Sequence, residues 1–267
     1  MTQGGNRIAS AILKARNAGR PAVAAYLTAG FPSRATFPGL LRAASAAADV
    51  LEVGVPFSDP MADGVTIQRA SRVALLDGTT LDWTLQALAA SLPSFSTPVV
   101  IMSYLNPLLA YGLTRLARDA AATGVSGFIV PDLPLEEQGR LRPTFRAAGL
   151  AFVQMVTPAT PVPRLDRIGA ESDGFVYAVT VTGTTGGRID AWTDFTAYLE
   201  RVRAATARPI LAGFGVRTRE DVAALVPPAD GVVVGSALIA AIERGESPGV
   251  FLAGLLGDRQ RSAGTCP

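Results

Sequence analysis

Eight short apolar segments alternate with stretches of helical periodicity along this chain, and that alternation restricts the fold more than any other feature. The segments are Pro21–Ala29, Val50–Val55, Pro98–Tyr104, Gly127–Pro131, Ala151–Thr157, Gly174–Thr180, Pro209–Phe214 and Gly231–Gly235. Most are rich in Val, Ile and Phe and are bounded by Gly, Pro, Asn, Asp or Thr, as buried parallel strands are. Between them, Ala35–Ala48, Leu81–Leu92 and Trp192–Thr206 read as helices. In the last of these, Trp192, Phe195, Leu199 and Val202 share one face, with Glu200, Arg201 and Arg203 off it. Alternating strand and helix predicts a parallel sheet with right-handed crossovers. Eight units in 267 residues favour a closed (β/α)8 TIM barrel, one domain over residues 1–267, above an open doubly wound sheet. Tyr26–Pro32 also lacks the G-x-G-x-x-G spacing of a dinucleotide-binding turn.

Two intervals depart from the regular pattern. Val55 to Pro98 is about twice the usual length and holds an extra helical stretch, Thr66–Asp77. Pro143 interrupts the helix expected after Pro131, by a kink or a delayed start. Met1–Ser10 is expected to begin loose and run into a short helix across the barrel bottom, and Gly264–Pro267 to fray.

Composition removes several kinds of chemistry. The chain has no histidine, so imidazole triads, His-ligated metals and imidazole proton shuttles are excluded. Its single cysteine, Cys266, cannot form a disulfide within the chain or a thiolate metal cluster. Net charge is +2 without a Lys/Arg block, which argues against a nucleic-acid surface. Mean hydropathy is +0.31, yet no apolar run approaches the roughly 18 residues of a membrane span. The first twenty residues lack a signal-peptide core, so a cytoplasmic location is expected.

Barrel chemistry is expected at the C-terminal strand ends. Glu52 stands between Leu51 and Val53 inside an apolar strand. A carboxylate there is costly unless it is paired or functional, and desolvation would raise its pKa toward acid–base use. Asp63, before Gly64 in a Gly/Pro-rich loop, reads by itself as a turn residue, as does Asp59. Gly213-Phe214-Gly215 and Gly235-Ser236 end the last two strands, where glycine backbone and a helix N-terminus suit phosphate. Thr182–Arg188, rich in Gly and Thr after the sixth strand, reads as a lid, with Arg188 facing either phosphate or solvent. Tyr177 is open between core packing and the barrel mouth.

The segment LEVGVPFSDPMADG, Leu51–Gly64, resembles the signature of the tryptophan synthase alpha chain family. Further matches follow in order: YLTAGFP (Tyr26–Pro32), MSYLNP (Met102–Pro107), VPDLPLEE (Val130–Glu137), GFVY (Gly174–Tyr177), GFG (Gly213–Gly215) and VGSA (Val234–Ala237). The resemblance implies a (β/α)8 barrel that cleaves indole-3-glycerol phosphate to indole and D-glyceraldehyde 3-phosphate without metal or organic cofactor. It implies catalytic roles for Glu52, Asp63 and Tyr177. It implies substrate contacts from Tyr26, Met102, Thr185, Gly186, Phe214, Gly215, Gly235 and Ser236. It also implies a beta-subunit partner in an alpha-beta-beta-alpha complex, with Ser58-Asp59-Pro60 retained on the partner-facing loop. Departures from the family pattern are Val65 in place of Pro, Thr184 in place of Val and Gly187 in place of Ala. The alternatives are a free-standing lyase supplying indole to another pathway, or a barrel that binds a phosphorylated ligand without catalysis.

Overall fold

The computed structural model describes residues 1–179, 192–213 and 215–257. Eight parallel strands close into a barrel in chain order, with the last pairing the first. They are β1 (Ala22–Thr28), β2 (Val50–Gly54), β3 (Val99–Met102), β4 (Gly127–Ile129), β5 (Ala151–Val156), β6 (Val176–Val179), β7 (Ile210–Gly213) and β8 (Gly231–Val234). Each expected apolar segment holds one strand. Every strand residue is buried except the half-buried Met155 near the end of β5. Burial on both faces is why the strands read as continuous apolar runs and not as alternating ones. Closure also demands close approach at the seam. Gly231 pairs with Ala22, and a Cβ on Gly231 would lie 2.1 Å from the Ala22 carbonyl oxygen.

Helices wrap this sheet. Phe128 of β4 and Phe152 of β5 pack outward onto Phe145, with ring centroids 4.6 and 6.3 Å away. Phe145 belongs to the helix Leu141–Ala147, and Pro143 lies in its first turn. The first-turn N–H groups have no partner inside a helix, so the proline delays the start without kinking the axis. In the helix Trp192–Ala205, Leu199 and Val202 turn inward as their spacing requires, with Phe195 half-buried. Tyr198, three residues after Phe195 and not named among the stripe residues, is the largest fully buried side chain among the described residues. Its hydroxyl donates to the Val156 carbonyl at 2.9 Å, which satisfies the polar end of a core aromatic. The long interval after β2 holds the additional helix Val65–Leu76 ahead of Leu81–Ser91.

The N-terminus corrects one expectation. The chain does not begin loose: a helix runs from Gln3 to Asn17, with the Thr2 side chain accepting from Gly5 N–H at 3.0 Å. Gly4 N–H donates to the Gly149 carbonyl at 2.9 Å, and Gly4 and Gly5 are buried. Two residues without side chains let this first turn sit directly on backbone at the N-terminal ends of β4–β6, beyond what periodicity can report. Gly264–Pro267 lies outside the described residues. Among the described residues, no helix is long and apolar enough to cross a membrane.

Asp230, just before β8, ties this end of the barrel together. Its Oδ1 accepts from Arg16 at 3.0 Å, and its Oδ2 accepts from Arg203 and from Ile210 N–H, the latter at 2.7 Å. One buried carboxylate thus joins the N-terminal helix, β7 and the helix Trp192–Ala205. Asp230→Ala would leave the buried Ile210 N–H unsatisfied and is expected to cost about 3 kcal/mol in urea unfolding. Arg16, 54% exposed, should cost less than about 1 kcal/mol on truncation. Equal small losses for both variants would show that Asp230 is not the clamp.

Candidate active site

Glu52 reaches the barrel interior because strand residues alternate in direction, and β2 presents Glu52 and Gly54 on one face. In register, Glu52 stands beside Tyr26 of β1 and Val100 of β3. It is only 2% exposed, and its Oε2 has no hydrogen-bond partner among the described residues. Burial, reinforced by the nearby charge of Asp63, raises its pKa to about 8. The side chain is therefore mostly protonated at neutral pH.

Asp63 arrives from a loop, and four hydrogen bonds and a ring stack hold that loop down. Asp63 N–H donates to the Pro60 carbonyl at 3.1 Å. Gln68 Nε2 donates to the Asp63 carbonyl at 2.9 Å from the helix Val65–Leu76. The Tyr104 hydroxyl accepts from Ala62 N–H at 2.9 Å and donates to Asp63 Oδ2 at 3.1 Å. Phe57 stacks on the Tyr104 ring with centroids 5.1 Å apart. Burial raises the Asp63 pKa to about 6, and the Tyr104 hydrogen bond works against that rise. At neutral pH Asp63 is mostly ionised. The turn-residue reading of Asp63 accounts for its backbone, while its side chain is 5% exposed in the same cavity as Glu52. Val65, the departure from the family's Pro, is the first residue of its helix and 70% exposed, so the helix still starts directly after Gly64.

Glu52 and Asp63 line a cavity with about 520 Å³ of space between its lining atoms, counted out into its open mouth. Tyr26, Ile67, Met102 and Val233 supply apolar wall. Tyr177 lines it too, 4% exposed, with burial holding its hydroxyl well above the usual phenol pKa. Each of the two tyrosines is accommodated by a glycine on the adjacent strand. A Cβ on Gly54 would lie 2.1 Å from the Tyr26 hydroxyl, and one on Gly213 would lie 2.5 Å from the Tyr177 hydroxyl. Backbone and small side chains complete the lining at Gly215, Gly235 and Ser236. Gly215 has φ of +87°, a conformation that favours glycine. Ser236 begins the helix Ser236–Glu243, whose first N–H groups have no intrahelical acceptor. The cavity lining thus offers N–H donors to an anion at Ser236 and acid and base at Glu52 and Asp63.

The fold therefore gathers Glu52, Asp63, Tyr177, Tyr26, Met102, Gly215, Gly235 and Ser236 around one cavity. Thr185, Gly186 and Phe214, and the lid segment Thr182–Arg188, lie outside the described residues. Contributors not singled out from the sequence include Tyr104, Ile67, Val233 and Arg217. Tyr104 stands in the MSYLNP segment, just beyond β3, where a strand-end search for polar groups could have found it. No group of His, Cys, Asp and Glu with metal-binding geometry occurs among the described residues.

The family model for the tryptophan synthase alpha chain matches residues 12–253. The tryptophan synthase alpha chain of Roseiflexus sp. (strain RS-1) is 45% identical over 250 residues, which cover 93% of this chain and 95% of the relative. That of Desulfovibrio desulfuricans is 44% identical over 251 residues, covering 93% and 98%. Among solved structures, tryptophan synthase subunit alpha from Legionella pneumophila superposes with a TM-score of 0.85 at 31% identity, covering 96% of this chain and 97% of that one. A tryptophan synthase chain from Mycobacterium tuberculosis gives 0.85 at 35% identity, covering 94% and 99%. This chain belongs to the tryptophan synthase alpha chain family.

Proposed function

We propose that this chain cleaves indole-3-glycerol phosphate to indole and D-glyceraldehyde 3-phosphate, as the alpha subunit of tryptophan synthase in cytoplasmic L-tryptophan biosynthesis. Residues 1–267 act as one catalytic domain beside a beta subunit. One observation carries the chemistry: two buried carboxylates, one near pKa 8 and the other near 6, share a cavity that Gly215, Gly235 and Ser236 also line. Separated pKa values of this kind assign acid and base.

The roles follow from those protonation states. Protonated Glu52 delivers its proton to indole C3, which places positive charge on the ring nitrogen. Ionised Asp63 accepts the ring N–H hydrogen bond and stabilises that charge. Glu52, now a carboxylate, takes the proton from the glycerol hydroxyl next to the ring. The C–O bond becomes a carbonyl, the carbon–carbon bond breaks, and its electrons return to the indolenine nitrogen. Indole and the aldehyde leave with Glu52 protonated again. Tyr104 is a positioning residue, since it orients Asp63 and keeps it ionised. Tyr26 and Met102 flank the indole ring, and Tyr177 closes the wall beside Glu52. The phosphate lies against Gly215, Gly235 and Ser236, where N–H donors and the positive helix end favour an anion.

Glu52→Gln keeps the shape and removes the mobile proton, so indole release should fall by at least ~10³-fold. Near-full activity in this variant would sink the assignment. The same substitution should stabilise the fold. With the folded-state pKa at about 8, above its unfolded value, ionisation opposes folding more strongly as pH rises from the unfolded to the folded pKa. Glu52→Gln should therefore gain on the order of 3 kcal/mol at pH 7, read from denaturant unfolding, and little near pH 4. The kcat/KM profile should be bell-shaped, falling below about pH 6 as Asp63 protonates and above about pH 8 as Glu52 ionises. Tyr104→Phe removes the bond that lowers the Asp63 pKa, so the acid limb should move to higher pH while the alkaline limb stays in place. A profile unchanged by Tyr104→Phe would overturn that role.

A further inference from the structure

Under the proposed function, a phosphate ester enters a cavity that already carries an ionised Asp63. Backbone N–H groups and a helix end offer the phosphate partial charges only; the end of a helix amounts to about half an elementary charge. Among the described residues lining the cavity, Arg217 is the one that carries a full positive charge. It stands two residues beyond Gly215, and Gly235 and Ser236 line the same cavity. A second, outer cavity shares Arg217, Ser236 and Ala237 with the first and adds Arg244. Arg217 therefore belongs to the partition between the catalytic cavity and the outside.

Its backbone is well held. Arg217 N–H donates to Asp221 Oδ2 at 2.8 Å, and Thr218 N–H donates to the same oxygen at 2.9 Å. The Thr218 side chain accepts from Asp221 N–H at 3.2 Å, which completes a capping box on the helix Arg219–Leu225. The stem of Arg217 thus leaves a fixed point, while the residue itself is exposed.

From this placement we infer that Arg217 is a specificity-determining residue, whose guanidinium pairs with the substrate phosphate and selects phosphorylated over unphosphorylated indole-glycerol. The inference rests on the proposed reaction for its substrate and on cavity geometry for its site. A guanidinium adds what the backbone lacks: a full charge and a fork matched to two phosphate oxygens. Because Arg217 is exposed, solvent screens the contact, and its effect is on the order of tenfold and not thousands. The contact exists in ground and transition states alike, so it acts on KM more than on kcat.

The test compares full-length wild type, Arg217→Ser and Arg217→Lys with two substrates, indole-3-glycerol phosphate and indole-3-glycerol. Arg217→Ser should raise KM for the phosphorylated substrate roughly tenfold, keep kcat within about twofold and leave kcat/KM for indole-3-glycerol unchanged. Arg217→Lys should recover part of the loss. Calorimetry with glycerol 3-phosphate reads the same contact without turnover. Arg217→Ser should weaken that binding by a similar factor and flatten its dependence on salt. Unchanged glycerol 3-phosphate affinity, or equal losses on both substrates, would overturn the inference. A wild-type chain that releases no indole, yet binds glycerol 3-phosphate through Arg217, would sink the proposed reaction and leave this inference standing.

Discussion

Pairing β8 with β1 turns eight strands of three to seven residues into a sheet with no edge, and every position in the site depends on that closure. Strands this short are marginal when isolated, and an open parallel sheet would leave two rows of unpaired backbone. The seam tolerates little: Gly231 faces the Ala22 backbone with no room for a side chain. Closure also fixes which residues face the interior. It brings Glu52 on β2, Tyr177 on β6 and the Gly235–Ser236 turn after β8 around one cavity, although 183 positions separate Glu52 from Gly235.

The cavity holds its chemistry by opposing the preferences of its own residues. Glu52 is a carboxylate kept almost wholly buried, with one oxygen unpartnered among the described residues. The cost of burying charge is what keeps it protonated at neutral pH. Asp63 is buried nearly as deeply, but the Tyr104 hydroxyl reaches it and its pKa rises less. A single hydrogen bond thus contributes to separating two carboxylates into an acid and an anion. The clamp at the other end, Asp230 with Arg16 and Arg203, lies remote from this pair and supplies stability without chemistry.

The strands were legible because burial on both faces leaves apolar runs that need no tertiary context. Helix positions were legible from periodicity, with ends set by local chemistry: Pro143 delays one helix, and Thr80 caps another by accepting from Trp83 N–H. Tyr198 shares that period, three residues after Phe195, while the partner of its hydroxyl, the Val156 carbonyl, is set only by packing against β5. The early start of the N-terminal helix escaped the periodic reading because its first turn is held by backbone contact at Gly4, a residue with no side chain to report burial.

Glu52 declared itself in one dimension, since a carboxylate flanked by Leu51 and Val53 in a chain with no histidine has few other uses. Asp63 did not, because its neighbours describe a turn and nothing local says that its side chain will be buried. The resemblance to a known family supplied its role; the physical cause came only with folding. Tyr104 lies 41 residues further along, and the closed sheet brings its hydroxyl to Asp63 Oδ2. The sequence by itself determined the strands, the barrel and the presence of a costly carboxylate, because those depend on local composition and period. Only the tertiary structure decided which carboxylate is protonated and where a cation stands by the cavity, because burial and charge act through space between residues that the chain keeps far apart.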